Sequence, residues 1–193
     1  MKELKYFAFL FSFLLILSIG CSDKTQLPIA PVDQQSSLEK AVITNFTFSD
    51  SPVGFTGTGE IKLIPGGKWQ IKKYGIIEQF LSPDPLIQGT MLHYLSGTID
   101  AVTGEGTCHG SWTITPEIDA GGGVWEGTYE GYRSKSSVPG EWTLPLKVEG
   151  HGRGGIINGM QMKGTATLMI TTDGVTTLPA YWTGVGKGYY KSH

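Results

Sequence analysis

Apolar and polar residues alternate along most of the chain beyond residue 41. A period of two is typical of β-strands with one buried face, and no segment shows the 3.6-residue stripe of an amphipathic helix. Val, Ile, Thr, Tyr and Trp are frequent in these segments, and glycine or proline separates them. We therefore predict nine strands, at residues 42–48, 57–64, 68–80, 90–100, 105–115, 123–133, 141–151, 160–172 and 180–190.

Turn residues mark several of the strand boundaries. Residues 65–67, Pro-Gly-Gly, predict a tight hairpin between the second and third strands, and residues 82–85, Ser-Pro-Asp-Pro, end the third. Asp173 and Gly174 predict a turn after the eighth strand, with a second break at Pro179. Eight or nine strands with such short connections form either a sandwich or a closed barrel.

Glycines at alternate positions favour the barrel. Pairs such as Gly104 with Gly106 and Gly150 with Gly152 lie on one face of a strand. Rows of glycine weaken a strand unless it must bend sharply or approach a neighbour closely, and closing a small barrel needs both. We predict an all-β fold, an antiparallel β-barrel of about eight or nine strands with mostly meander topology. Flexible loops are the alternative explanation of these glycines.

The stretch 104–133 predicts a hairpin with one apolar and one polar face. A slip of one residue would invert one of its strands, so the two apolar faces must coincide. We expect this apolar face to line the interior. The predicted inner pairs are Trp112 with Trp125, Gly110 with Gly127 and Cys108 with Tyr129, and the outer pairs are His109 with Thr128 and Ser111 with Glu126.

The same alternation places all five tryptophans on the apolar sides of their strands. Polar side chains are almost absent from this predicted interior beyond Cys108, Tyr129 and Tyr190. Lys147, Glu149 and His151 are predicted to face outward. The further inward positions are Trp69, Ile71, Trp142, Leu144, Leu146, Val148, Met160, Met162, Ala166, Leu168, Ile170, Trp182, Gly184, Gly186 and Gly188.

The N-terminus has the organisation of a secretion signal. Lys2 and Lys5 precede an apolar run of about 14 residues, which is shorter than the roughly 20 needed to span a bilayer. The run ends in Leu-Ser-Ile-Gly-Cys, residues 17–21, which resembles a bacterial lipobox, whose cysteine becomes the lipidated N-terminus. An ordinary secretory signal with a chance cysteine is the alternative.

These features divide the chain into a lipoprotein signal peptide (1–20), a flexible tether that begins with lipidated (palmitoylated) Cys21 (21–40) and a β-barrel domain (41–193). Cleavage leaves 173 residues, enough for one domain with a substantial core. We expect the protein in the bacterial cell envelope, lipid-anchored at the outer membrane, on either the periplasmic or the surface side.

Charge and cysteine content narrow the classes of partner and chemistry. Removal of the signal leaves 13 basic and 16 acidic residues, so a basic patch for nucleic acid is not expected. Cys108 is the only cysteine besides Cys21, and no intrachain disulfide can form after lipidation. We expect Cys108 to be a small buried hydrophobe rather than a catalytic thiol. Oligomeric state is left open.

Glu126 and Glu130 are the first candidates for acid–base chemistry. They lie four residues apart on one strand, roughly 13 Å, whereas glycosidase carboxyl pairs lie about 5 to 9.5 Å apart. They also fall on the predicted outer face together with His109. We therefore predict a surface charge cluster.

Other catalytic and cofactor motifs are absent from the sequence. The histidines, at 93, 109, 151 and 193, show no zinc-ligand spacing, and no G-x-S-x-G nucleophile motif is present. Gly121 to Gly123 precede a strand rather than a helix, unlike a phosphate cradle. We predict no catalytic residue, metal or cofactor. Arg153, in the glycine-rich turn 150–155, is read as a loop residue.

The remaining candidate site is the lumen or its mouth, where small barrels hold one ligand. Its candidate walls are Cys108, Trp112, Trp125, Tyr129 and Trp142. The alternative is that these side chains simply fill the barrel as its core.

The G-x-G pairs, the strand GEGTCHGSWTI (104–114) and the phrase GVWEGTYEGY (123–132) resemble the allene oxide cyclase-like and dirigent-like β-barrels, over roughly residues 50–190. The resemblance implies a barrel that holds a hydrophobic small molecule and, in some members, directs a cyclisation or coupling. No position here matches a catalytic residue of that family, so only the fold is carried over.

Three hypotheses follow. The first is a non-enzymatic, lipid-anchored barrel that binds a small apolar or aromatic ligand. The second is an isomerase-type or cyclase-type enzyme acting in the lumen, which polar side chains on the inner face would favour. The third is a structural or interaction lipoprotein with a filled barrel, and a cavity of about 300 Å³ or more would exclude it.

Overall fold

The computed structural model describes residues 41–119 and 121–192. The signal peptide, Cys21 and the tether therefore lie outside the described residues. The predicted all-β class and the prediction of nine strands are confirmed. The strands are β1 (Val42–Phe55), β2 (Glu60–Ile64), β3 (Lys68–Leu81), β4 (Gly89–Asp100), β5 (Gly106–Pro116), β6 (Val124–Lys135), β7 (Glu141–Arg153), β8 (Gln161–Thr172) and β9 (Pro179–Ser192), with a 3-10 turn (Gly155–Ile157) between β7 and β8.

The strands form one antiparallel sheet that closes on itself. From β3 to β9 each strand pairs with the next in the chain, and β1 pairs with both β9 and β3. This double pairing closes a barrel of eight strands with the predicted meander order. β2 lies outside the closure and pairs only with the first part of β3, Lys68–Lys72.

β1 is twice as long as predicted, because pairing overrides the local sequence of its second half. Residues 49–55, which begin with the polar sequence Ser-Asp-Ser and contain Pro52, pair with Ile76–Leu81 of β3. The register shifts between Pro52 and Gly54, which accommodates the proline as an irregularity of the strand. The extension carries Asp50 to an inward position that the predicted strand 42–48 did not include.

A bulge in β3 reverses which of its residues face inward. The pairing with β4 shifts between Ile71 and Tyr74, and Lys73 has a positive φ of 46°. Trp69 and Ile71 face inward before the bulge as predicted, but beyond it the even-numbered positions Ile76 and Glu78 do so. An inserted residue changes the phase of a period-two pattern in this way.

The predicted faces of the β5–β6 hairpin are correct, but its predicted register is wrong by two residues. Trp112 lies opposite Gly127 rather than Trp125. A Cβ on Gly127 would lie 2.6 Å from Cζ2 of Trp112, so the indole occupies the space that the glycine leaves. The observed pairs are Cys108 with Gly131, His109 with Glu130, Gly110 with Tyr129, Ser111 with Thr128, Trp112 with Gly127, Thr113 with Glu126 and Ile114 with Trp125.

Connecting segments cover both ends of the barrel. At one end the β3–β4 segment buries Ile87, and the carbonyl of Leu86 accepts a 2.8 Å hydrogen bond from Trp125 Nε1. At the other end the carbonyl of Thr103 accepts a 2.9 Å bond from Trp142 Nε1. The predicted inward positions of β7, β8 and β9 are confirmed, and Trp182 is buried among them. Within the described residues, no helix has the length and apolar character to cross a membrane.

Candidate functional site in the barrel interior

The barrel encloses a cavity with mostly apolar walls. Among the predicted lumen residues, Cys108, Trp112 and Tyr129 line it. Trp125 and Trp142 instead lie towards opposite ends of the barrel, where their indole N–H groups hold the covering segments. The predicted set of five therefore divides into three cavity-lining residues and two that close the ends.

The cavity has a volume of about 80 Å³. Drug-sized ligands occupy pockets of roughly 300–1,000 Å³, and a cavity of about 150 Å³ engineered into another protein takes up benzene. The space in this conformation suits a few waters or a molecule of a few heavy atoms. Side chains fill most of the interior.

The prediction of an interior almost free of polar side chains is wrong. Four charged or titratable residues from four strands are buried and line the cavity: Asp50 of β1, Glu78 of β3, His93 of β4 and Arg133 of β6, with exposed fractions of 7%, 1%, 6% and 0%. Polar groups this deep in an apolar interior are costly unless they are paired or serve a function. They make the lumen the candidate site.

Three of these residues form one cluster. Asp50 lies opposite Phe80 and Pro52 lies opposite Glu78, so the two acidic residues are diagonal neighbours on the inner face. His93 is diagonal to Glu78 on the next strand, and its Nε2 lies 3.6 Å from Glu78 Oε1.

Neighbours on β9 and β6 complete the cluster. Trp182 Nε1 donates a 2.5 Å hydrogen bond to Glu78 Oε1. Gly184, which pairs with Asp50, leaves room for its carboxyl group, because a Cβ there would lie 2.6 Å from Asp50 Cγ. The Tyr129 ring centre lies 5.6 Å from that of His93.

Burial favours the neutral forms of these groups. It raises the pKa of Asp50 to about 6, and burial together with the nearby Asp50 charge raises the pKa of Glu78 to about 8, although the Trp182 N–H opposes this rise. Burial lowers the pKa of His93 to about 4. At neutral pH, Glu78 is therefore largely protonated and His93 is neutral.

Several polar atoms of the cluster have no hydrogen-bond partner among the described residues. They are Asp50 Oδ1, His93 Nε2 and the Tyr129 hydroxyl. Native proteins satisfy the large majority of such groups, through protein, water or ligand. All three residues line the cavity, so a bound molecule with polar groups can reach them.

Arg133 is held in the barrel interior near the end covered by the β4–β5 and β8–β9 segments. Its Nη1 donates a 2.7 Å bond to the carbonyl of Thr177, and its guanidinium carbon lies 4.7 Å from the centre of the Trp142 ring. Burial lowers its pKa to about 10, so Arg133 stays charged at neutral pH. Burial also raises the pKa of Cys108 to about 11, despite the opposing effect of Arg133.

Glu126, Glu130 and His109 lie on the outer face as the sequence predicts, but Arg153, which was predicted to be a loop residue, is the last residue of β7 because it pairs with Val124 of β6. Glu126 forms a surface ion cluster, 3.1 Å from His151 Nε2 and 3.0 Å from Arg153 Nε. Glu130 and His109 are exposed and lie opposite each other. In the described ranges, no three side chains of His, Cys, Asp or Glu are placed to hold a metal ion.

Sequence reasoning missed the polar centre for identifiable reasons. Asp50 lies beyond the predicted end of the first strand, and the β3 bulge that turns Glu78 inward has no clear sequence signal. Two features of the sequence did indicate polar side chains at inward positions. His93 alternates with Met91 and Leu95, and Arg133 extends the inward series of β6 by one position.

Comparisons with protein-family models, with curated proteins and with solved structures gave no match.

Proposed function

We propose that this protein is a lipid-anchored β-barrel of the bacterial envelope that binds a small, mainly apolar ligand in its lumen. The observation that carries the proposal is an apolar, aromatic-walled cavity interrupted by unpartnered polar atoms of Asp50, His93 and Tyr129. Binding pockets combine these features, since apolar walls supply affinity and a few polar groups fix orientation. The ligand carries at least one hydrogen-bonding group.

The cavity volume limits the ligand. About 80 Å³ admits a molecule smaller than benzene without rearrangement. Larger ligands require side chains to move, and Met91 and Met162 are the adaptable wall residues, because methionine changes rotamer at low cost. We expect affinity to fall steeply as ligands grow beyond a single ring.

Tryptophan fluorescence tests the binding proposal, because Trp112 and Trp182 border the cavity. Titration with phenol, pyrrole and short alcohols should change the emission and saturate. Ala166→Leu, which places three more carbons in the cavity wall, should abolish the response. Thr165→Leu, on the neighbouring outward position of β8, is the matched control and should leave it intact.

Two results would count against binding in the lumen. The response could be the same in Ala166→Leu and in the unsubstituted protein, which would place it elsewhere. The response could also be absent across the whole panel. The second result would favour the filled structural barrel, the alternative that the small cavity volume supports.

The anchor has its own test. Cys21→Ser should lose incorporation of a palmitate analogue and move the protein from the membrane fraction to the soluble fraction. Cys108→Ser should change neither, because Cys108 is buried in the barrel. Retention of the label in Cys21→Ser would refute lipidation at that residue.

An enzyme of isomerase or cyclase type is the second candidate, and the polar centre favours it. A protonated Glu78 beside a neutral His93 forms a pair that can donate and accept a proton in a cavity with mostly apolar walls. NMR spectroscopy of a lumen ligand after incubation would reveal turnover as a product of the same mass with a different spectrum. Glu78→Gln should stop that change while binding persists, and unchanged turnover in the variant would exclude this role.

A further inference from the structure

We infer that the polar centre of the lumen binds a small organic cation, a protonated amine, between Asp50 and Glu78. The inference rests on the proposed function and narrows its ligand class. The proposed function allows either a neutral or a charged ligand, and the inference is that the ligand is a cation.

Geometry supplies the first argument. The two carboxyl groups come from adjacent strands and face the same cavity, with exposed fractions of 7% and 1%. Glu78 Oε1 already accepts the Trp182 N–H, whereas Asp50 Oδ1 has no partner in the described part of the chain. A hydrogen-bond donor in the cavity would complete the coordination of Asp50.

Charge supplies the second argument. Within the described residues, neither carboxyl group forms an ion pair with a lysine or arginine, and the neighbouring His93 is kept neutral by burial. The interior arginine, Arg133, binds the Thr177 carbonyl through Nη1 and stacks on Trp142, while its Nε and Nη2 have no partner among the described residues. Asp50, the member of the pair that is mainly ionised at neutral pH, therefore has no cationic partner among the described residues, and buried carboxylates normally have one.

The character of the cation follows from the surroundings. An ammonium group offers three N–H donors, which match Asp50, Glu78 and the unpartnered His93 Nε2 as acceptors. Aromatic side chains border the pair, since Phe80 lies opposite Asp50 and Trp182 binds Glu78, and aromatic faces attract organic cations. A metal ion fits less well, because the described residues offer no set of three His, Cys, Asp or Glu ligands. The cavity volume limits the alkyl group to a few carbons.

Calorimetric titration of the full protein in detergent tests the inference. Methylammonium and ethylammonium are the probes, ethanol is the neutral probe of similar size, and acetate is the anionic one. We expect ethylammonium to bind at least tenfold more tightly than ethanol or acetate.

The pH dependence is the second readout. Tyr129, Arg133 and Cys108 also face the cavity, but none of them changes charge near neutral pH. Cation binding favours ionised carboxyl groups, so the affinity for ethylammonium should rise with pH between about 6 and 8. Binding should also release protons, which calorimetry detects by comparing buffers of different ionisation enthalpy. Affinity for the amine that does not rise with pH would overturn the inference.

Two variants complete the test. Asp50→Asn and Glu78→Gln should each weaken ethylammonium binding at least tenfold, while Glu149→Gln, an exposed carboxylate of β7, should not. Circular dichroism tests whether each variant is folded. If a variant does not fold, the pH dependence of ethylammonium binding to the unsubstituted protein decides whether the inference stands. Equal binding of amine and ethanol would overturn the cation assignment and leave the proposed function standing. Binding of none of the panel, phenol included, would overturn both.

Discussion

At the residue scale, environment rather than residue type sets the chemistry of the acidic side chains. Glu126 and Glu78 are both strand residues, yet Glu126 lies in a surface ion cluster and Glu78 lies 1% exposed beside Asp50 and His93. Burial and the Asp50 charge raise the pKa of Glu78 to about 8, which makes it an acid at neutral pH.

Glu78→Gln should change how stability depends on pH. Because the pKa of Glu78 rises from 4.5 to about 8 on folding, its protonation stabilises the fold below pH 4.5, and this contribution is lost as pH rises through 8. The amide cannot ionise, so the variant should gain stability relative to the unsubstituted protein from pH 5 to 9, by on the order of a few kcal/mol. Urea unfolding across this range measures the difference.

The control for this prediction is Glu130→Gln, an exposed position of β6. Its unfolding free energy should follow that of the unsubstituted protein at every pH. Parallel curves for Glu78→Gln and the unsubstituted protein would show that Glu78 is not protonated more readily in the folded state.

At the element scale, glycine and aromatic residues pair across strands so that a large ring lies over a position without a side chain. Trp112 lies over Gly127, and the Tyr129 ring lies over Gly110, where an added Cβ would be 2.6 Å from the ring. This size matching selects the observed register over the predicted one, in which Trp112 faces Trp125. Two indoles directly opposite each other would compete for one space in a close-packed interior.

Gly127→Ala should therefore destabilise the barrel. Its Cβ would meet Trp112 Cζ2 at 2.6 Å and would also clash with the Glu149 carbonyl, so rings and strands must shift. Overpacking of this kind costs about 1–3 kcal/mol, which for a domain of this size lowers Tm by roughly 2–10 °C. Thermal unfolding followed by circular dichroism measures the change.

Gly54→Ala is the matched control for Gly127→Ala. Gly54 also lies in a strand, and the nearest atom to an added Cβ is Ile77 Cδ1 at 4.0 Å. We expect a change within about 0.5 kcal/mol. Equal losses in the two variants would mean that the ring-over-glycine contact does not set the cost.

At the scale of the whole molecule, the chain closes the barrel laterally and covers its ends with loops held by interior side chains. Trp125 binds the segment at one end, and Trp142 with Arg133 binds the segments at the other. Asp50 and Glu78 are buried between these two ends, and that burial raises the pKa values of their carboxyl groups.

Arg133→Met should loosen the end that the β8–β9 connection covers. The variant loses the bond to the Thr177 carbonyl and the stacking on Trp142. A hydrogen bond to a charged group contributes about 1.5–3 kcal/mol, so hydrogen exchange at residues 173–178 and at the Trp142 indole should accelerate roughly tenfold or more. Arg153→Met, at an exposed arginine, is the control, and the same acceleration there would exclude a specific role of Arg133.

Cys108 reports access to the interior. The thiol is 3% exposed and burial raises its pKa to about 11, so both access and thiolate content are low at pH 8. In Cys21→Ser protein, we expect the bulky reagent dithiobisnitrobenzoate to react at least 100-fold more slowly in the folded protein than in urea. Comparable rates would mean that the barrel opens readily.

Much of the architecture followed from local pattern. Period-two alternation located the nine strands, and glycine rows favoured the barrel over the sandwich. Gly150 and Gly152 lie in β7 close to neighbouring backbone as that argument requires, but Gly104 was wrongly placed in a strand, because it lies in the β4–β5 turn with a φ of 73°. The inward faces of β5 to β9 were also predicted, since alternation carries over directly to the two sides of a strand. The lipobox-like segment at Cys21 remains a prediction outside the described residues.

The polar centre required the tertiary structure. Asp50 turns inward only because the second half of β1 pairs with β3, and Glu78 turns inward only because the bulge at Lys73 shifts the phase of β3. Both depend on contacts between segments distant in sequence, which local pattern does not contain. The sequence by itself determined a strand-rich barrel with an apolar interior, and the closure of that barrel decided which charged groups the interior holds.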